Sequence, residues 1–144
     1  MNFKKILVAI KGSAIDERII RLACNLAKQN SGKVYVAYVI QLDRSLPLDA
    51  EVPPEVEKGE EILDAAECYA ENYGCEIITD LLQARAVGPA LINEASEREA
   101  DLLIIGMDYK TQFGEFSLGE VAPYVLKHAS CQVMLLRESE PEIE

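Results

Sequence analysis

The chain has no tryptophan, a single histidine, four cysteines, and 14 Lys plus Arg against 25 Asp plus Glu in 144 residues. Each shortage closes a class of function. A net charge of −11 repels the phosphate backbone that a nucleic-acid binder must neutralise, so no nucleic-acid partner is expected. The same sign disfavours docking on anionic lipid. The longest apolar run near the N-terminus, ILVAI, stops at Lys11, far short of a signal or spanning segment, so no membrane insertion and a cytoplasmic location are expected. Cys24, Cys68, Cys75 and Cys131 form no C-x-x-C pair, and His128 stands at no metal-ligand spacing from them, so reduced thiols and no metal are expected. His128 also lacks a nucleophile partner, because Ser130 and Cys131 are sequence neighbours whose directions diverge; near a helix C-terminus its protonated form suits the dipole. With six Tyr and three Phe as the aromatic complement, little is available to stack on a flavin, which counts against an electron carrier of flavodoxin type.

What is present is an alternation of two hydrophobic periods. At 49% hydrophobic the chain suits one domain, expected over 1–138 with an acidic tail at 139–144 too polar to pack. KKILVAI (4–10) reads as a strand. SAIDERIIRLACNLAKQNSG follows with Ile15, Ile19, Leu22, Ala23 and Leu26 at helical spacing. Ser13 and Asp16 form an expected N-terminal capping pair, and Gly32 the expected left-handed stop. KVYVAYVI (33–40) is the next strand. The stretch 41–54, QLDRSLPLDAEVPP, has three prolines and no clean period. It reads as a mobile loop, either a plain connector or a lid that faces a protein partner.

From 55 to 73, Glu57, Glu60, Asp64, Glu67 and Glu71 recur on one helix face while Ile62, Leu63, Ala66, Tyr69, Ala70 and Tyr73 fill the other. Such a stripe of acids is a solvated face, not a catalytic pair, which would need a cleft around it. Gly74 ends the helix, CEIITDLLQ (75–83) reads as a strand, and VGPALINEASEREA opens a helix with Pro89 in its first turn. DLLIIGM (101–107) is an apolar run without alternation, as in parallel strands covered on both faces. A short helix starts near Gly119, with Pro123 in its first turn, and QVMLLR (132–137) closes the set. Five strands alternating with four helices imply an α/β, doubly wound parallel sheet. Ligands in such sheets sit beyond the carboxyl ends of the strands where the winding reverses. That would join Ala9, Ile10 and Lys11 to the end of the fourth strand and the loop after it.

The phrase ILVAIKGS, the VGPALI helix start and the closing GEVAPYVLKHASCQVMLL together resemble the universal stress protein family over residues 3–137. The resemblance implies an adenine nucleotide alpha hydrolase-like fold with strand order 3-2-1-4-5 and a homodimer through the last strand (132–137), whose apolar edge would otherwise carry unpaired backbone groups. Nucleotide-binding members carry Gly-x-x-Gly, nine residues, then Gly-Ser or Gly-Thr. Here the frame is Gly106-Met107-Asp108-Tyr109, nine residues, then Gly119-Glu120. The family's first strand ends in an Asp that addresses the adenosine end of the ligand; Lys11 holds that position.

The three departures have physical weight of their own. Glycine lets backbone approach phosphate oxygens, and a helix start offers free N–H groups and the positive end of a dipole. Tyr109 puts a ring on that path, unless it turns to the surface. Glu120 opposes the ligand directly: at ~4 Å and an effective dielectric near 20, repulsion from a phosphate charge is about 4 kcal/mol, roughly three decades of affinity. The same carboxylate suits the bare helix dipole, and Lys11 is opposite in sign to it across the crevice. The resulting expectation is a stress-response regulatory or binding protein that takes ATP weakly or not at all, with no cofactor. The alternative is an ATP- or AMP-binding member with at most slow hydrolysis, holding its ligand through backbone groups of Ile10, Val39, Met107, Gly119 and Val121. Gly106 and Gly119 have a plainer use in a tight strand-to-helix connection, as Lys11 has as a solvated strand end.

Overall fold

The computed structural model describes residues 3–107, 111–112, 115–116 and 119–139, the four residues from 111 to 116 in backbone only. In chain order the elements are β1 (Lys5–Ile10), α1 (Ile15–Asn30), β2 (Lys33–Gln41), α2 (Pro53–Asn72), β3 (Ile77–Ala84), α3 (Val87–Glu97), β4 (Leu102–Met107), β5 (Thr111–Gln112), β6 (Glu115–Phe116), α4 (Val121–His128) and β7 (Gln132–Arg137). Five strands form a parallel sheet in the order β3-β2-β1-β4-β7. Counted among themselves, these are the expected 3-2-1-4-5. The antiparallel pair β5–β6, Thr111 opposite Phe116, was not foreseen: two-residue strands carry no readable period.

Strand alternation sorts the core into two layers. Ile6, Val8 and Ile10 of β1, Val34, Val36, Tyr38 and Ile40 of β2, and Leu102 and Ile104 of β4 pack with Ile15, Ile19, Ile20 and Cys24 of α1 and Leu63, Ala66 and Ala70 of α2. Leu7, Tyr35, Ala37, Val39, Leu103 and Ile105 point the other way, onto Leu91 and Ala95 of α3 and Ala122 and Val125 of α4. Ile6, Leu7, Val8, Leu102, Leu103 and Ile104 are all 0% exposed. Each such side chain contributes about 1.5–3 kcal/mol of burial, which is why central strands show no polar alternation.

Local chemistry explains most helix ends. The acids of α2 that form its stripe are exposed, and Leu63, Ala66 and Ala70 of the opposite face are buried. Gly74 follows that helix at φ +65, as expected. Three expectations need correction. Pro53 and Pro54 are not loop residues but the first two of α2, where a missing N–H costs nothing. The left-handed residue after α1 is Ser31 (φ 52), not Gly32. Gly32 is required for space instead, since a Cβ there would lie 2.5 Å from the Phe3 carbonyl oxygen.

The third correction concerns the capping pair. Ser13 makes no cap: the N-cap residue is Ala14, without a side-chain bond, and the Ser13 hydroxyl is buried with no partner. The stretch after β2 is bonded to the end of β3. The Leu42 N–H donates to the Ala84 carbonyl at 2.8 Å, Gln83 Nε2 to the Leu48 and Ala50 carbonyls at 3.3 and 3.1 Å, and the Arg85 guanidinium to the Asp43 carbonyl. Its order relative to the rest of the chain is a matter for proteolysis.

Candidate functional site

At the carboxyl ends of β1 and β4 the winding direction reverses, because β2 and β3 lie on one side of β1 while β4 and β7 lie on the other. The β1–α1 loop leaves the carboxyl end of β1. Lys11 and Gly12 are exposed, and Gly12 turns the chain at φ +83, a conformation that costs a residue with a Cβ about 1 kcal/mol or more. Asp16 holds this turn. Only 4% exposed, it accepts the Lys11 N–H on Oδ1 at 3.2 Å and the Gly12 N–H on Oδ2 at 2.8 Å. Burial pushes its carboxyl above the usual range, against the opposing pull of those backbone bonds and of the Lys11 charge. Sequence reading placed Asp16 in a capping box; its role is to reach backwards and fix the loop.

The next helix after β4 is α4. Gly119 has φ +69, and among the described residues a Cβ built on it would meet nothing within 4 Å. Glu120 is the N-cap residue by backbone position, exposed, and makes no side-chain capping bond. The expectation that this carboxylate would satisfy the helix start is therefore corrected: it stands beside the end without closing it. Tyr109 lies outside the described residues.

Alternation divides the remaining candidates. Ala9, Val39, Met107 and Val121 belong to the layer under α3 and α4. Ile10 belongs to the α1–α2 layer. Gly106 also faces that way, because a Cβ on it would meet Ile15 Cγ1 and Cγ2 at 3.0 Å and Ile19 Cγ2 at 3.3 Å. The glycine in β4 thus lets α1 sit close on the sheet. The period-2 rule applied along Ile104–Met107 carried this signal, since Gly106 and Met107 must point to opposite faces.

On the α3–α4 side, a cavity of about 190 Å³ is lined by Gln41, Val87, Gly88, Glu120, Val121 and Tyr124, with Ala86 and Pro89. Three elements converge on it: the end of β2 and the first turns of two helices. Gly88 is where α3 and α4 touch, since a Cβ there would fall 2.7 Å from the Tyr124 ring. Gln41 is fixed by a bond from its Nε2 to the Arg85 carbonyl at 3.1 Å. Sequence reading named none of Gln41, Val87 and Tyr124 as site residues, although Val87 and Tyr124 lie within the phrases that carry the resemblance. On the other face, a separate hollow of about 350 Å³ is bordered by Gly12, Ser13, Asp16, Glu61, Ile62 and Tyr69. Among the described residues no cluster of three or more His, Cys, Asp or Glu is placed to hold a metal ion, and no helix is long and apolar enough to cross a membrane.

Comparison with known proteins agrees with this architecture. The sequence model of the universal stress protein family matches residues 2–137. A universal stress protein of Methanocaldococcus jannaschii is 30% identical over 146 residues, covering 97% of this chain and 85% of that protein. A universal stress protein structure from Archaeoglobus fulgidus superposes with a TM-score of 0.78 at 24% identity, covering 92% of this chain and 97% of that one. A universal stress protein from the same organism, solved with dAMP, gives 0.75 at 23% identity over 94% and 98% of the two chains.

Proposed function

This chain belongs to the universal stress protein family, and on that premise we propose that it is a stress-response regulatory or binding protein whose crevice takes ATP weakly or not at all. The observation that carries this reading is Glu120, an exposed carboxylate at the N-cap of α4, where the free N–H groups and dipole would otherwise receive a phosphate. Lys11, just after β1, is opposite in sign to Glu120 and replaces the acid expected to hold an adenosine. Asp16, the buried carboxyl nearby, is engaged by two backbone N–H groups and is committed to loop geometry, not to proton transfer. Catalysis is not part of the proposal.

A second reading is favoured by one specific arrangement. Ala9, Val39, Met107 and Val121 share one layer, Val121 also lines the cavity, and the Archaeoglobus fulgidus neighbour was solved with dAMP. An adenine mononucleotide held by apolar walls and backbone N–H groups would meet less repulsion from Glu120 than a triphosphate does. Association through β7 belongs to the same proposal: it is an edge strand paired with β4, and Val133 to Leu136 are only half-buried. A homodimer at tens of micromolar in sedimentation is expected.

Mass spectrometry of the small molecules released on denaturing freshly purified protein tests the ligand question. An empty spectrum is expected. Stoichiometric ATP would overturn the first reading, and AMP alone would select the second.

A further inference from the structure

α3 meets the β2–β3 side of the sheet through a group of charged side chains of which Glu94 is buried and Asp80 and Arg98 are partly exposed. Glu94 is 6% exposed, and its Oε2 has no hydrogen-bond donor. Asp80 on β3 accepts a bond from Arg98 Nη2 at 2.6 Å. Arg98 Nε lies 3.9 Å from Glu94 Oε2, close enough for attraction but too far for a hydrogen bond. The guanidinium is stacked over the Tyr35 ring of β2, 4.8 Å from its centroid. Two carboxyl groups therefore face one cation, whose short bond is committed to Asp80.

A buried carboxylate oxygen without a donor is costly, and a second carboxylate beside it adds repulsion. A proton relieves both, because a protonated Glu94 becomes a donor and the Asp80 carboxylate is there to accept. Burial, then the hydrogen bond and negative charge of Asp80, push the Glu94 carboxyl up to about 7, against a weaker downward pull from Arg98. Glu97, on the same helix, adds negative charge. From β2 the Tyr35 ring lies under the Arg98 guanidinium; the titratable groups of α4, the helix packed against α3, are Tyr124, which meets Gly88, and His128, whose ring is tilted by 34° at 4.2 Å from that of Tyr124.

We propose that Glu94, Asp80 and Arg98 form a proton-operated latch: with a proton shared between the carboxyls α3 seats on the sheet, and with it lost the two carboxylates repel across one guanidinium and the seat loosens. The latch lies along the same helix whose first turn, Val87 to Pro89, walls the cavity beside Glu120, so a change at Glu94 is carried to that wall. The sign follows from the raised value. The folded state holds this proton more tightly than the unfolded chain, whose carboxyl has the ordinary 4.5. Stability from the site is fully present below that value and is lost as pH rises through about 7.

The test compares thermal melting of the full chain and Glu94→Gln from about pH 5.5 to about pH 8.5. The Gln amide can donate to Asp80 at every pH. Wild type should lose melting temperature across this window more steeply than the variant, and at the upper end the variant should melt at least about 2 °C higher. Amide exchange, corrected for its intrinsic pH dependence, should quicken in α3 over the same window and not in α1. Carbon NMR of the Glu94 carboxyl should show a midpoint of about 7, and it decides alone if the variant does not fold. Parallel melting curves, or a midpoint near 4.5, would overturn the latch.

Discussion

Two helices follow neighbouring central strands, α1 after β1 and α4 as the next helix after β4, and each has an acid at or near its start. At α1 the acid is Asp16, buried at 4% exposure and bonded to two backbone N–H groups of the loop before it. At α4 the acid is Glu120, exposed and without a capping bond. Residue type is shared, yet one carboxylate is part of the scaffold and the other only projects charge. Position decides which: Asp16 is the second residue of its helix and bonds back to a turn reversed at Gly12, whereas Glu120 occupies the N-cap itself, preceded by Gly119 at φ +69.

That contrast can be broken in order of effect. Asp16→Ala should cost about 2 kcal/mol in denaturant unfolding, because it orphans two loop N–H groups and empties a buried site. A cost under about 0.5 kcal/mol would mean water serves those donors equally well. Gly12→Ala should cost about 1–2 kcal/mol, combining a positive φ with a Cβ that meets Ile62 Cδ1 at 2.8 Å. Gly119→Ala has the same backbone penalty and, among the described residues, no clash, so about 1 kcal/mol is expected. Equal costs at the two glycines would show that Ile62 moves aside freely. Glu120→Ser should change stability by no more than about 0.5 kcal/mol in either direction, since the carboxylate it removes holds nothing.

How legible this was depended on the range of the forces involved. The buried strands announced themselves because complete burial demands apolar residues throughout, as in Ile6–Val8 and Leu102–Ile105. The acidic face of α2 was equally readable from its period. What failed depended on contacts distant in sequence. Gly32 looked like a left-handed stop, but the Phe3 carbonyl claims the space beside it, and the left-handed residue falls one position earlier, at Ser31. Ser13 and Asp16 have the spacing of a capping box, yet which of them bonds depended on a loop reversal that no local pattern states.

The candidate site was half legible. Its location followed from topology, and Ala9, Val39, Met107 and Val121 do share a face. Gly106 was assigned to the ligand by motif, although strand alternation already turned it toward Ile15. Glu94 offered a readable sign that went unused: it lies on the same α3 stripe as Val87, Leu91 and Ala95, at helical spacing, and an acid on an apolar stripe is a buried carboxyl in need of a partner.

Isothermal calorimetry of ATP against wild type and Glu120→Ser tests the central claim, that an exposed carboxylate at the α4 start turns phosphate away. Wild type should bind no tighter than the millimolar range, and the variant should gain about tenfold, or about 1.4 kcal/mol, with its melting temperature nearly unchanged. Micromolar binding by the wild-type chain, or identical affinities for the two proteins, would contradict it, and would mean that backbone N–H groups and the helix dipole outweigh the charge of Glu120.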